Sequence, residues 1–179
     1  AVNELRRYTS SADVPPQVLL TAGDLCEQSG DPDSALDFYR RAGTEEALMR
    51  IAQLAETRGS FEEAAAAWRN IAEHTVSTMR SHQAVERLVE LHRKRGRLNE
   101  LLVPETEEIS SDPVRRQIHL RTLAALDARE KLYDFLKRHG TFEEELQYRL
   151  LLRDYTGSAA LIQARLTADN AAGDGKSSG

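Results

Sequence analysis

The chain has 179 residues, enough for one domain or one run of repeats around a continuous core. Its 24 Lys and Arg against 29 Asp and Glu leave a net charge of −5, which argues against a phosphate-binding face for nucleic acid. The single cysteine, Cys26, excludes an intrachain disulfide and fits a reducing, cytoplasmic setting, and no apolar run reaches the roughly 20 residues of a membrane span.

The chain opens on Ala rather than Met and shows no signal-peptide pattern, so it reads as a piece of a longer protein. Residues 1–12 carry no clear period and read as a lead-in to a helical domain over residues 13–169. Asp13-Val14-Pro15-Pro16 predicts a helix start, with a cap followed by prolines whose missing donors are not needed there. Leu20, Leu25 and the small pair Ala22-Gly23 give that helix a face for close approach. Gly30-Asp31-Pro32-Asp33 is turn chemistry with an aspartate to cap the next helix, whose apolar face is Ala35, Phe38, Tyr39 and Ala42.

Gly43-Thr44 ends that helix and caps a second hairpin, which turns at Gly59-Ser60. Ser60-Phe61-Glu62-Glu63 predicts a capping box, after which Ala64, Trp68 and Ile71 mark the buried face. A long helix over about residues 76–95 follows, with Met79, Val85, Leu88, Val89 and His92 at helical spacing. Pro104 stops the short run 98–103, and Asp112-Pro113 starts a helix again. Gly140-Thr141-Phe142-Glu143-Glu144 echoes the second turn, Thr156-Gly157-Ser158 sets off a last helix ending near Ala168, and residues 170–179 read as a disordered tail. The turn glycines Gly30, Gly59, Gly96 and Gly140 are 29, 37 and 44 residues apart, a degenerate array.

The first two hairpins are near copies: Leu19 to Tyr39 lies over Leu48 to Trp68, with Ala five residues after the turn glycine and a large aromatic nine after it. On Ala22-Gly23, Gly30, Ala35, Tyr39 and Ala42, and again on Ala52, Gly59, Ala64, Trp68 and Ile71, the chain resembles the tetratricopeptide repeat. The short first unit is also similar to helical hairpins of clathrin-heavy-chain and intraflagellar-transport-type solenoids. Where the family has a mid-helix Ala, the last echo has Glu145. The resemblance implies an all-α, right-handed superhelix of about nine helices whose first helices line a groove for a peptide or partner helix. Carried over position by position, it places Gln17, Leu20, Asp24, Glu27 and Gln28 in that groove from the first unit, and Glu46, Met49, Gln53, Glu56 and Thr57 from the second. Leu20 and Met49 would be its apolar anchors, and its acidic rim favours a basic or amphipathic partner. An ordinary solvated helical face accounts for the same charges.

Other constellations carry less. Gly175-Lys176-Ser177 lacks the earlier glycine and the flanking strand of a phosphate loop. His74, His82, His92, His119 and His139 fall in no metal-ligand spacing, and Cys26 and Trp68 sit at packing positions. His92 to Arg97 is a basic run, explained by its place at a helix C-terminus. The expectation is a non-catalytic protein-interaction module without cofactor or metal, with a second copy or the rest of the parent chain as further partners. The alternative is a segment of a coat- or transport-type solenoid used for assembly.

Overall fold

The computed structural model describes residues 14–102, 109 and 111–174, together with Arg7. Among them are nine α-helices and no strand: α1 (Pro16–Gln28), α2 (Pro32–Ala42), α3 (Glu45–Thr57), α4 (Phe61–His74), α5 (Thr78–Lys94), α6 (Pro113–Ala125), α7 (Arg129–His139), α8 (Phe142–Leu151) and α9 (Tyr155–Asp174), with a 3₁₀ turn at Leu98–Leu101. The fold is all-α. Two compact units divide the chain, one closing at Arg97 and the next opening at Leu98.

The helix starts follow local chemistry. Asp31 caps α2 by accepting from the Ser34 amide at 3.1 Å, Thr44 caps α3 from the Ala47 amide, and Asp112 caps α6 from the Val114 and Arg115 amides. Pro15 precedes α1 without any side-chain cap, and Asp13 lies outside the described residues. Ser60 does not form the expected capping box. Asp31 caps from almost the same backbone ψ, 75° against 77°, because its carboxylate extends one atom further than a serine hydroxyl. The complete box belongs to α8, where Thr141 is extended and exchanges hydrogen bonds with Glu144.

In the first unit each helix packs on the next in sequence, from α1 through α5. Leu19, Leu20, Ala22, Cys26, Ala35, Leu36, Phe38 and Tyr39 join Ala47 and Leu54 of α3 in one core cluster. Gly23 is required there, since a Cβ would fall inside contact distance of the Tyr39 ring. Leu25, expected on the apolar face, is instead 47% exposed. Helix α5 begins two residues later than the spacing predicts, and Val76 and Met79 stand in solvent at 99% and 68% exposure. Its buried face is Ser81, Val85, Leu88 and His92, and Met79 lies two residues before that face, on the other side of the helix.

Five turns share one geometry. Gly30, Gly59, Gly96, Asp127 and Arg153 have φ of 76°, 73°, 68°, 53° and 57°, in the left-handed region. After each, the next amide bonds back to the carbonyl five residues earlier, at 2.8–3.0 Å, which is the six-to-one bond of a Schellman motif. The following helical element opens two residues past each left-handed residue, at Pro32, Phe61, Leu98, Arg129 and Tyr155. Five residues past it, Ala35, Ala64, Leu101, Leu132 and Ser158 are all buried. The interval of 44 residues to Gly140 is therefore no repeat: Gly140 has φ −93° and joins α7 to α8 between hairpins. The left-handed residues are 29, 37, 31 and 26 apart.

A non-glycine residue in this conformation costs about 1–2 kcal/mol, less for aspartate. Arg153→Gly is therefore expected to raise stability by about 0.5–1 kcal/mol, after the entropy that glycine gains in the unfolded chain. Thermal unfolding followed by circular dichroism checks this, with Gly30→Ala as the change of opposite sign.

In the second unit, Leu120, Leu123, Leu132, Phe135, Leu136 and Tyr148 form the core together with Ile109. The last hairpin departs from the others at two positions, eight and four residues before the left-handed residue. Elsewhere these hold Ala22 and Cys26, Ile51 and Ala55, Leu88 and His92, or His119 and Leu123; here they are Glu145 and Arg149. Helix α9 takes Thr156-Gly157-Ser158 into its first turn, with the Gly157 amide donating to Asp154, and runs to Asp174, past the Asn170 where sequence placed a tail. Residues 1–6, the lead-in except Arg7, and 175–179 with the Gly175-Lys176-Ser177 segment lie outside the described residues.

Candidate functional site

The ten residues assigned to a groove all lie on α1 and α3, and the structure divides them by environment. Gln17, Glu27, Gln28, Glu46, Gln53 and Thr57 are exposed, Asp24, Met49 and Glu56 are half-buried, and Leu20 is only 5% exposed within the core. Leu20 is thus a packing residue rather than an accessible anchor. It is carried inward because it shares a helix face with Asp24 and Glu27, which turns towards the adjoining α2 and α3.

Three of the acidic residues hold internal bonds. The Tyr39 hydroxyl donates between Asp24 Oδ1 at 2.7 Å and Glu27 Oε2 at 3.0 Å. Trp68 Nε1–H donates to Glu56 Oε1 at 2.5 Å. Glu27 and Glu56 each lie twelve residues before their aromatic partner, so both hairpins carry the same buckle from first helix to second. Arg50, which the sequence reading passed over, brings its Nε to 3.5 Å from Asp24 and ties α3 to α1, lowering the negative charge of the expected rim. The twelve-residue spacing of carboxylate and aromatic was the signal available in the sequence.

Burial, and next the carboxylates of Asp24 and Glu27, push the Tyr39 phenol far above its ordinary range. A phenol whose folded pKa is raised contributes stability that is complete below about pH 10 and is lost as the pH climbs above it, because only the unfolded chain ionises there. Of the five tyrosines, Tyr39 is expected to ionise only together with alkaline unfolding. Absorbance titration of the phenolates, compared with the Tyr39→Phe variant, measures this; a Tyr39 signal that titrates near pH 10 in the folded chain would contradict it.

The second unit holds a denser polar cluster. Arg149 donates to Glu145 Oε1 from Nε at 3.0 Å and Nη2 at 2.6 Å, and to Asp154 Oδ2 from Nη1 at 2.7 Å. Its guanidinium lies 4.1 Å from the centre of the Tyr133 ring. The backbone bond from Gly157, and the Arg149 and Tyr133 side chains, hold the Asp154 carboxyl below the usual carboxylate range. The cluster's hydrogen bonds join α8 to the α8–α9 turn and clamp the guanidinium between two carboxylates, which is the arrangement of a structural tie.

The basic run is also engaged. His92 is 5% exposed, meets Phe61 edge-on at 4.9 Å and has its Nδ1 2.9 Å from the Leu88 carbonyl. Arg97 lies 4.4 Å over the Phe61 ring and pairs with Glu62 at 2.8 Å, while Arg95 donates to the Gly59 carbonyl. These side chains border an open notch with Ser60 and Glu63 at the start of α4. Cys26 is fully buried. Among the described residues, no group of three or more His, Cys, Asp or Glu side chains is placed to hold a metal ion, and no helix is long and apolar enough to cross a membrane. Compared with models of protein families, with curated proteins and with solved structures, the chain finds no match.

Proposed function

We propose that the chain is a tetratricopeptide-like helical array acting as a non-catalytic protein-binding module. The observation that carries this reading is the five-fold recurrence of one hairpin turn in one register, with buried positions repeating around it. A scaffold of repeated hairpins presents a rigid surface, and its usual work is recognition. The exposed Gln17, Glu27, Gln28, Glu46 and Gln53 supply polar contacts on two adjoining first helices, and the half-buried Met49 supplies an apolar one. Their charge favours a basic amphipathic helix. The shielded thiol of Cys26 is compatible with a reducing, cytoplasmic compartment.

The test is titration of the chain with a fluorescent Lys/Leu amphipathic peptide and with its Glu/Leu counterpart. Saturable, salt-sensitive binding of the first, lost in Glu46→Lys/Gln53→Lys at unchanged helicity, is the expected result. Equal binding of both peptides, or retention by the double variant, would overturn the groove reading. The second reading, a solenoid segment used for assembly, is favoured by the apolar faces that α1 and α9 present to solvent.

A further inference from the structure

Each second helix that is followed by another hairpin buries a fixed stripe against it. Counting from the left-handed residue, the stripe centres on the sixth and ninth positions, and on α4 it extends to the second and thirteenth, Phe61 and Ala72, whereas Arg129 of α7 and Gly43 after α2 are exposed at those places. Phe61 meets His92 of α5, Tyr133 lies under Arg149 of α8, and the Ala72 carbonyl accepts from Ser81 of α5 at 2.9 Å. At the ninth position Tyr39, Trp68 and Leu136 are at most 4% exposed, and Tyr39 and Trp68 also bond back to the first helix of their own hairpin. On α9 the same four positions are Tyr155, Ala159, Ile162 and Leu166, and all are exposed, Tyr155 at 65% and Leu166 at 59%. The opposite face of α9 is used within its own hairpin, through Ser158, Leu161 and Arg165, the last over the Phe142 ring.

The receiving half of that contact is exposed at α1. Ala47 and Leu54 of α3 are 0% and 5% exposed, in the core cluster with α2. Their counterparts 29 residues earlier are Val18 and Leu25, at 49% and 47%. The chain therefore carries, unpartnered, both halves of a contact that it fills internally between α2 and α3. Neither stripe carries a charge of its own: Arg165, the one charged residue from Tyr155 to Leu166, turns to the Phe142 ring, and Asp24, the one from Pro16 to Leu25, is held by Tyr39 and Arg50. Val18 and Leu25 on one face, and Tyr155, Ile162 and Leu166 on the other, are large apolar side chains held 41–65% exposed, the kind of surface that seeks a partner.

We infer that copies of this chain associate head to tail, with α9 of one seated on α1 of the next through Tyr155, Ile162 and Leu166 against Val18 and Leu25. The contact is heterologous, so it joins copies in series rather than in two-fold pairs. It is one helix pair wide and therefore reversible, so its population rises with concentration. It does not depend on the peptide groove.

Sedimentation velocity on the full chain is expected to show a weight-average mass that rises with concentration past twice the chain mass. Ile162→Glu/Leu166→Glu removes one half of the contact and Val18→Glu/Leu25→Glu the other, so each variant alone is monomeric. An equimolar mixture of the two forms a one-to-one dimer and nothing larger, because each supplies the half the other lacks. Should either variant lose helicity, Tyr155→Gln/Ile162→Gln and Val18→Gln/Leu25→Gln replace them. A wild-type chain that stays monomeric throughout overturns the inference. So does association that survives in either variant, which is the behaviour of an α9–α9 or α1–α1 pair, or a mixture that stays monomeric.

Discussion

Arg149→Leu is expected to destabilise the second unit by about 3 kcal/mol, because it strands buried charge. The Arg149 and Glu145 side chains are only 13% and 9% exposed, and they occupy two positions that are mostly apolar in the other hairpins. Removing the guanidinium leaves the Glu145 carboxylate without its partner, takes a donor from Asp154 and uncovers the Tyr133 ring. For a unit of this size the loss corresponds to roughly 12 °C or more in melting temperature. Adding Glu145→Leu to the same chain is expected to recover most of it. Two leucines restore the apolar pattern of the other hairpins, and replacing a buried ion pair by packed apolar groups is often neutral or stabilising. Urea unfolding of the wild type, the single and the double variant decides the point; a double variant no more stable than the single one would show that the pair is held by its surroundings rather than by mutual charge.

Trp68→Ala is expected to cost the first unit about 3–5 kcal/mol. The side chain is 4% exposed on the helix face that also buries Ile71 and Ala72, and its indole N–H closes the buckle to Glu56. Truncation removes a large apolar surface, opens a cavity and leaves the Glu56 acceptor without its donor, so the transfer and hydrogen-bond losses act together. Trp68→Phe separates them: it keeps most of the volume and lacks the donor, and is expected to cost a fraction of the alanine change. Trp68 is the one tryptophan, so its fluorescence in the wild type follows this unit, and circular dichroism follows the variants. Equal stability of Trp68→Ala and wild type would remove Trp68 from the core.

The first two hairpins could be read from sequence because each structural demand falls on a residue with few substitutes. Gly30 and Gly59 satisfy the left-handed turn, Gly23 admits the Tyr39 ring, and Ala35 and Ala64 fill the crossing. The later hairpins use the same backbone with other residues. Asp127 and Arg153 take the left-handed conformation without a glycine to announce it, and Glu145 with Arg149 fills by mutual charge what apolar residues fill elsewhere. A glycine count therefore ends at Gly96 and takes Gly140, which has φ −93°, for a turn of the array. Helical position fixes a face but not which carboxylates the neighbouring helix already holds; Asp24, Glu27 and Glu56 are engaged by Tyr39 and Trp68. Leu20 is buried where the resemblance implies an anchor, because an exposed and a buried leucine look alike in a pattern, and Leu25 takes the outward place.

Packing between sequence neighbours, helix on next helix, also sets how each unit folds. Contacts of low sequence separation need little loop closure before they form, so the barrier is small and folding falls in the microsecond-to-millisecond range of helical proteins. A hairpin such as α1–α2 or α6–α7 has its turn bonds and most of its partners within some 30 residues, and those residues leave a ribosome together. Within each unit the hairpins can thus be assembled one at a time during synthesis.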